Sequence, residues 1–304
     1  MKLAVLCLAD RRRLAIVNTA SATAALVPED LVPGGADPMV AALATAGCLP
    51  RLAALAGGRD GAAGLELVAL ESARICAPVR RPGKIICLAS NYQAHMEEAG
   101  LTRAGHDPWL FMKPGSSVIG PGEQIRLPYP QAPVDWEVEL CAVIGARCRR
   151  VAPARALACV GGLTIGNDVS LRQLDQMRPE DNWDSFFSWQ QGKWHDTFTS
   201  LGPWIVTPDE IAGQLPLRLS LTVNGQPRQS GSTAEMISGL PAAIAAISRI
   251  TALEPGDVIM TGTPSGVGAA SSEFLRPGDL VEAAIEGIGI LRNTVAAGEE
   301  EPST

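Results

Sequence analysis

Apolar and polar positions alternate along much of this chain, and the period changes little after the first eighty residues. Two apolar runs, LAVLCL and LAIV, stand either side of ADRRR, a pattern that predicts a β-hairpin at the N-terminus. The stretch from Asp37 to Gly58 is rich in Ala and Leu and predicts a helix. Arg80-Arg81-Pro82-Gly83 marks a boundary, and from Lys84 onward short strands separated by turns take over. Leu217, Leu219, Leu221 and Val223 alternate with Arg218, Ser220 and Thr222 and run into Asn224-Gly225, a hairpin signal. Ser232-Thr233-Ala234-Glu235 has the spacing of a capping box, which predicts a helix from there through Ile250. Pro255-Gly256-Asp257 and Pro277-Gly278-Asp279 are matching turns, each leading into a strand. No internal repeat interrupts this order. The pattern divides the chain into a small N-terminal α/β domain over 1–80, a strand-rich domain over 81–297 and a flexible tail over 298–304. The fold class is therefore α+β, strand-rich.

Composition narrows the function classes. With 46% hydrophobic and 19% charged residues among 304, the chain can bury a core. Its net charge of −7 leaves no basic face for nucleic acid. No apolar run is long enough to span a bilayer, and LAVLCL is followed at once by Asp10 and three arginines, unlike a signal peptide. The seven cysteines are scattered without a CxxC pair, which argues against a disulfide framework or a thiolate zinc site. These features predict a cytoplasmic protein with no membrane and no nucleic-acid partner.

Candidate chemistry concentrates in Val134-Asp-Trp-Glu-Val-Glu-Leu-Cys-Ala-Val-Ile-Gly145. As a strand, this segment puts Trp136, Val138, Leu140 and Ala142 on one face and Glu137, Glu139, Cys141 and Val143 on the other. Residues two apart on a strand are roughly 6.6 Å apart, close enough for both carboxylates to reach one ion. A solvated strand face carrying two glutamates fits the same spacing. Asp168 follows at the end of the short apolar strand LTIGND, where a turn or cap role is the alternative. A set of Glu137, Glu139 and Asp168 is all-oxygen and suits Mg²⁺ or Mn²⁺ rather than zinc.

Only three histidines are present. His95 lies in SNYQAHMEEAG, where Asn91 is placed to cap a short helix and Gly100 to end it. On that helix His95 and Glu98 face each other at i, i+3, while Glu97 does not. A histidine oriented by a carboxylate is a general base toward water; a surface pair on a polar helix is the alternative. His106 carries no role, and His195 is open between a site and a structural residue. Lys193 in GKWHDTF is a candidate cation for an enolate or a substrate carboxylate. Thr261-Gly-Thr-Pro-Ser-Gly-Val-Gly268 is a turn whose amides and hydroxyls can cradle an oxygen, and it lacks the order of a Walker or dinucleotide loop. Trp183, Phe186, Phe187 and Trp189 are candidates for a pocket wall, a dimer contact or core.

In order, KIICLASNYQAHMEEAG, PWLFMKPGSSVIGPG, VDWEVELCAVIG, GLTIGNDVSLR, GKWHDTFTSLGPW, LTVNGQPRQ, LEPGDVIMTGTPSGVG and GDLVEAAIEGIGILRNTV resemble the fumarylacetoacetate hydrolase family over about two-thirds of the chain. The resemblance implies a mixed β-roll, a homodimer and a Mg²⁺ or Mn²⁺ site at Glu137, Glu139 and Asp168. It implies a His95–Glu98 dyad on a lid and a catalytic Lys193, with Thr263, Gly262 and Arg172 toward substrate. The chain departs from the family pattern at Asp175, where glutamine is common and Gln176 follows one place later, and at Trp194-His195 and Ser200. These departures predict an altered substrate. The implied reaction is hydrolysis of a carbon–carbon bond in an acylpyruvate-type 2-oxo acid. The alternatives are an oxaloacetate-type decarboxylase or keto–enol tautomerase, and a binding protein without activity.

Overall fold

A computed structural model of the chain describes all residues except 10, 33, 36, 58–63, 103–106, 173–181, 212, 213, 215 and 299–304, and the side chains of 182–185. His106, Asp175, Gln176, the side chain of Trp183 and nearly all of the expected tail lie outside that description.

The predicted hairpin is present as β1 (Lys2–Leu8) and β2 (Arg11–Asn18), followed by β3 (Thr23–Leu26). The Ala/Leu-rich stretch forms two helices, α1 (Pro38–Ala44) and α2 (Cys48–Gly57), bent by 107°. Asp37 caps α1 through the amides of Met39 and Val40, Thr45 leaves helical conformation, and Gly47 at φ +75° turns the chain. After β4 (Leu67–Ala69), strand β5 (Arg74–Cys76) pairs with β1. That pairing corrects the cysteine reading, because Cys7 and Cys76 form a disulfide. They lie 69 residues apart, and only the β1–β5 ladder makes them neighbours. The other five cysteines are free and buried.

The rest of the chain supplies β6 (Ile85–Ala89), α3 (Gln93–Glu98), β7 (Trp109–Lys113), β8 (Val118–Ile119) and β9 (Gln124–Arg126). Next come β10 (Val134–Asp135), β11 (Val138–Ile144), α4 (Pro153–Ala156), β12 (Val160–Asp168), β13 (Ser170–Leu171) and α5 (Asn182–Gln191). Then β14 (Thr199–Val206), α6 (Pro208–Ile211), β15 (Arg218–Val223), β16 (Gln226–Ser232) and α7 (Leu240–Ile250) follow. Strand β17 (Val258–Met260), α8 (Gly268–Ser271), β18 (Leu280–Ile285) and β19 (Gly289–Ala296) complete the order.

Among the described residues, twelve strands join in one mixed sheet, with the path β4-β3-β2-β1-β14-β12-β11-β17-β6-β7. Its join between β1 and β14 pairs Leu3 with Ile205, so the sheet runs on from the first eighty residues into the remainder. A second sheet has the order β16-β15-β18-β19-β9. One apolar core lies between the sheets and takes Leu140 and Ile165 from the first, Leu221 and Val281 from the second and Ile244 from α7. The opposite face of β11 enters another core, where Cys141 and Val143 meet Leu3, Met39 and Leu43. The alternation along β11 is therefore real, and both of its faces are dry. The architecture is the strand-rich mixed roll expected.

The capping box is realised locally but does not start the long helix. Ser232 Oγ accepts from the Ala234 amide and heads a single 3₁₀ turn, and α7 begins only at Leu240, after Gly239 and with Pro241 in its first turn. Both PGD turns behave alike: Asp257 accepts the Glu254 amide at 2.8 Å, and Asp279 accepts the Arg276 amide at 2.7 Å. Among the described residues no single helix is long and apolar enough to cross a membrane; α1 and α2 pass by length and composition only as a bent pair, and Met39, Leu43 and Leu52 of that pair are core residues.

Candidate active site

The expected strand from Val134 to Gly145 breaks where its glutamates begin. Three successive amides are taken by side chains instead of a neighbouring strand: Trp136 N–H donates to Asp135, Glu137 N–H to Asn167 Oδ1 and Val138 N–H to Gln229 Oε1. β10 therefore pairs with β13 while β11 pairs with β12, and Glu137 projects at the break. The β11–β12 register sets Glu139 opposite Gly166, and the Asp168 amide donates to the Glu137 carbonyl. Ligand atoms of Glu137, Glu139 and Asp168 all lie within 4.8 Å of one another, and all three residues are buried.

Among the described residues, three cations meet this trio. Lys193 Nζ bridges Glu137 and Asp168 at 2.8 Å each, Lys113 Nζ donates to Asp168 and Arg172 donates to Glu137. Burial alone would raise the Glu137 carboxyl, but Lys193 and Arg172 hold it well below the usual carboxylate range. Glu139 goes the other way: burial, then the charges of Asp168 and Glu137, push it well above its ordinary value. Among the described residues, its carboxylate accepts one hydrogen bond, from the Gly262 amide at 2.6 Å. A buried, oxygen-only trio with one member under-neutralised fits a hard divalent cation, which would be held by Glu137, Glu139 and Asp168.

A cavity of about 500 Å³ opens onto Glu137 and Glu139. His95 and Glu98 of α3 line the same cavity, with His95 Nδ1 3.4 Å from Glu98 Oε2. Glu98 also accepts the Gly266 amide, at 2.9 Å to Oε1. The helix is tied at both ends. Gly100, at φ +65°, closes it with Gly100 N–H on the Glu97 carbonyl and Leu101 N–H on the Met96 carbonyl, a Schellman closure. At the start the cap position belongs to Tyr92, not Asn91; the buried Asn91 amide instead ties Ser238 and Thr261. Glu97, as expected, faces away and pairs with Gln93.

The TGTP turn also lines the cavity, but its donors are used within the protein. Thr263 Oγ1 donates to the Val138 carbonyl and accepts from Gln229, while Gly262 N–H serves Glu139. Arg172 lines the cavity too, held by Asp135 at 2.8 Å as well as by Glu137. Trp189 reaches the cavity and packs edge-on against Phe111, with ring centroids 4.9 Å apart, and Lys193 Nζ lies 5.4 Å from the centre of the Phe111 ring. Phe186 and Phe187 do not line it, being about half exposed. His195 packs on Phe198 outside the cavity, and burial, then Lys113, lower its pKa.

Sequence reasoning missed Lys113, Phe111 and Asp135. Phe111 and Lys113 share the inward face of β7, and a lysine in phase with an aromatic was the available signal. Asp135 is fully buried and accepts from Gly268 N–H, Ala269 N–H and Arg172. Nothing in its own neighbourhood announced that role.

Over most of its length the chain is similar to known proteins. A profile described as fumarylacetoacetate (FAA) hydrolase C-terminal matches residues 84–296. The chain is 40% identical over 246 residues to a 2,4-didehydro-3-deoxy-L-rhamnonate hydrolase of Sphingomonas sp. (strain SKA58), covering 80% of this chain and 83% of that one. It is 39% identical over 236 residues to the human mitochondrial oxaloacetate tautomerase FAHD2A, covering 77% and 73%. A crystal structure of maleylpyruvate hydrolase from Sphingobium sp. SYK-6 with manganese (II) ion and pyruvate superposes with a TM-score of 0.77 at 30% identity, covering 98% of this chain and 100% of that one.

Proposed function

The chain belongs to the fumarylacetoacetate hydrolase family, whose members named above are hydrolases and a tautomerase, and from that premise we propose that it hydrolyses a carbon–carbon bond in an acylpyruvate-type 2-oxo acid with Mg²⁺ or Mn²⁺ bound. The observation that carries the reading is that one cavity is lined both by carboxylates of the trio and by the His95–Glu98 pair. Tautomerisation and decarboxylation need an electron sink but no attacking water; a histidine held by a carboxylate beside that sink supplies a base for water.

The bound ion would supply Lewis acidity and orient the dicarbonyl. His95, aimed by Glu98, takes a proton from water, whose oxygen bonds to the distal acyl carbon. The bond between that carbon and the methylene carbon breaks, and its electron pair becomes the enolate of pyruvate. Protonation at carbon then gives pyruvate and a carboxylic acid, so one water is consumed. Lys193 and Arg172 lie beside the trio, where the enolate oxygen and the substrate carboxylate are to be held. Thr263 and Gly262 contribute wall, and Gly262 also steadies Glu139.

The tautomerase reading is favoured by the human relative and uses the same cavity. The two separate when the Mn²⁺-loaded protein is given acylpyruvates and oxaloacetate and products are followed by NMR. Pyruvate plus the free acid is the expected result, and His95→Ala should lower that turnover by about 10²–10⁴-fold, the range for one general base, while Mn²⁺ affinity is kept. Exchange or CO₂ release alone sinks the hydrolase assignment.

A second copy of the chain is the proposed partner, supported by exposed apolar side chains at Met112, Phe186, Phe187 and Trp194. Sedimentation at micromolar concentration should give a dimer; a monomer there removes this element. The cytoplasmic assignment belongs to the same proposal. It is supported by five free buried thiols, stands against the one disulfide, and is tested by cell fractionation.

A further inference from the structure

Resting on the hydrolase reading, we propose that Asn91 is a positioning residue for the reaction: its side-chain amide locks the start of α3 to the TGTP turn and so fixes where His95 stands relative to the carboxylate trio. The sheet brings these two segments together. β6 and β17 run parallel, with Ile85 opposite Val258 and Cys87 opposite Met260, so the strands end side by side. One runs on into Ser90-Asn91 and the dyad helix, the other into Thr261-Gly262. The approach is close: a Cβ on Gly262, which takes φ +89°, would lie 2.8 Å from Asn91 Cβ and 3.2 Å from the Leu88 carbonyl oxygen. Ser90 turns the chain in the left-handed region at φ +50°, which a non-glycine residue holds only where its surroundings impose it.

Asn91 is buried, and its side chain is matched atom by atom. Nδ2 donates to the Thr261 carbonyl at 2.8 Å and to the Ser238 carbonyl at 3.0 Å, while Oδ1 accepts the Ser238 amide at 2.8 Å. Its own carbonyl accepts the Ile237 amide at 2.7 Å. Asparagine offers two donors and an acceptor at this length; aspartate would set an oxygen against two carbonyls. The turn that Asn91 grips is itself fastened to β11. Thr261 Oγ1 donates to the Leu140 carbonyl and Thr263 Oγ1 to the Val138 carbonyl, each at 2.8 Å, and between them Gly262 N–H serves Glu139. These bonds hold the turn without Asn91, whereas the head of α3 reaches the turn through the Asn91 side chain. At the far end of the helix Glu98 accepts the Gly266 amide of the same segment. The dyad thus takes its place from the turn that also carries the donor to Glu139.

Asn91→Asp removes the two donors with little change of size, and Asn91→Ala removes the whole amide. Each is made alone and together with His95→Ala, and all are assayed with Mn²⁺ and an acylpyruvate. Each single Asn91 variant should lower kcat about 10²-fold, the cost of displacing a reacting group by about 1 Å, with KM and Mn²⁺ affinity unchanged. In the His95→Ala background neither should lower kcat further, because residues that act through one group are not additive. A residue serving the fold alone would cost the same in both backgrounds, and that result overturns the inference, as does a loss of Mn²⁺ affinity that accounts for the lost turnover. Hydrogen exchange gives a readout without turnover. In the variants the amides of Met96, Ala99 and Leu101, which close α3, should exchange faster while those of β11 keep their protection. In the unaltered protein these α3 amides should be as slow as those of Thr261 and Gly262; fast exchange in α3 beside a protected turn overturns the inference even if neither variant folds. If acylpyruvates are cleaved and the losses add, the hydrolase reading stands and this inference fails. If no acylpyruvate is cleaved but α3 alone loosens in the variants, the lock at Asn91 stands and the reaction assignment fails.

Discussion

Glu139→Gln is expected to abolish divalent-ion binding at micromolar concentration and to lower turnover about a thousandfold. Losing a ligand set that stabilises developing charge removes about 4 kcal/mol from the transition state. The same substitution has the opposite effect on the ion-free protein. Glu139 is pushed up by burial and by the neighbouring charges of Asp168 and Glu137, so the folded state binds its proton more tightly than the unfolded chain does. Its contribution to stability is then complete below the ordinary glutamate pKa and is lost as pH rises toward the raised value. Glutamine keeps the shape and removes that loss, so the ion-free variant should melt higher than the parent at pH 8. Added Mn²⁺ should stabilise the parent increasingly with pH and leave the variant unchanged. Calorimetry on the four samples, with and without ion, reads all of this. A variant that still gains stability from Mn²⁺ would remove Glu139 from the ligand set.

The second large effect is at Lys193. Its ammonium is buried, bridges Glu137 and Asp168 and faces the rings of Phe111 and Trp189. Lys193→Met has the length of the side chain without its charge. It leaves two buried carboxylates short of a partner, which costs about 3–5 kcal/mol in the ion-free protein. Much of that loss should return on adding Mn²⁺, because a cation again stands among the carboxylates, whereas turnover should stay at least a hundredfold down. Glu137 gives a further signature. In the parent it is held low by Lys193 and Arg172, so the stability it contributes is present above the ordinary glutamate range and disappears only as pH falls through its depressed value. In the methionine variant acid unfolding should therefore begin at a higher pH. Thermal and acid titrations check both statements. If Mn²⁺ restores turnover along with stability, Lys193 serves the fold and not the reaction.

The parts of this protein that were legible in the chain are those whose causes lie within a few residues. The Asn224-Gly225 turn takes left-handed φ at both positions, +52° and +75°, which is what an Asn-Gly pair between alternating strands requires. The two PGD turns close on their own aspartates. His95 and Glu98 meet because a helix places residues three apart on one face. Glu139 and Cys141 share a side of β11 because a strand has period two, whereas Glu137 stands at the break before it.

Where local signals misled, a longer-range bond outbid them. The capping box closes only a 3₁₀ turn, and the Thr233 hydroxyl that follows Ser232 accepts the Leu217 amide from across the β15–β16 pair. Asn91 looked like a cap, yet its amide is fully used by Ser238 and Thr261, 147 and 170 residues away along the chain.

By itself, then, the chain determined the strand-rich class, its turns, the two faces of the ExE strand and the dyad on its short helix, because each follows from backbone periodicity and short-range hydrogen bonding. Tertiary structure alone decided which charges would share a buried volume. Lys113 reaches Asp168 across 55 residues, Arg172 reaches Asp135 across 37, and Cys7 meets Cys76 across 69. The physical reason is that a buried charge or thiol takes its partner from whatever strand register places beside it, and register is set by the packing of whole sheets rather than by neighbours in the chain.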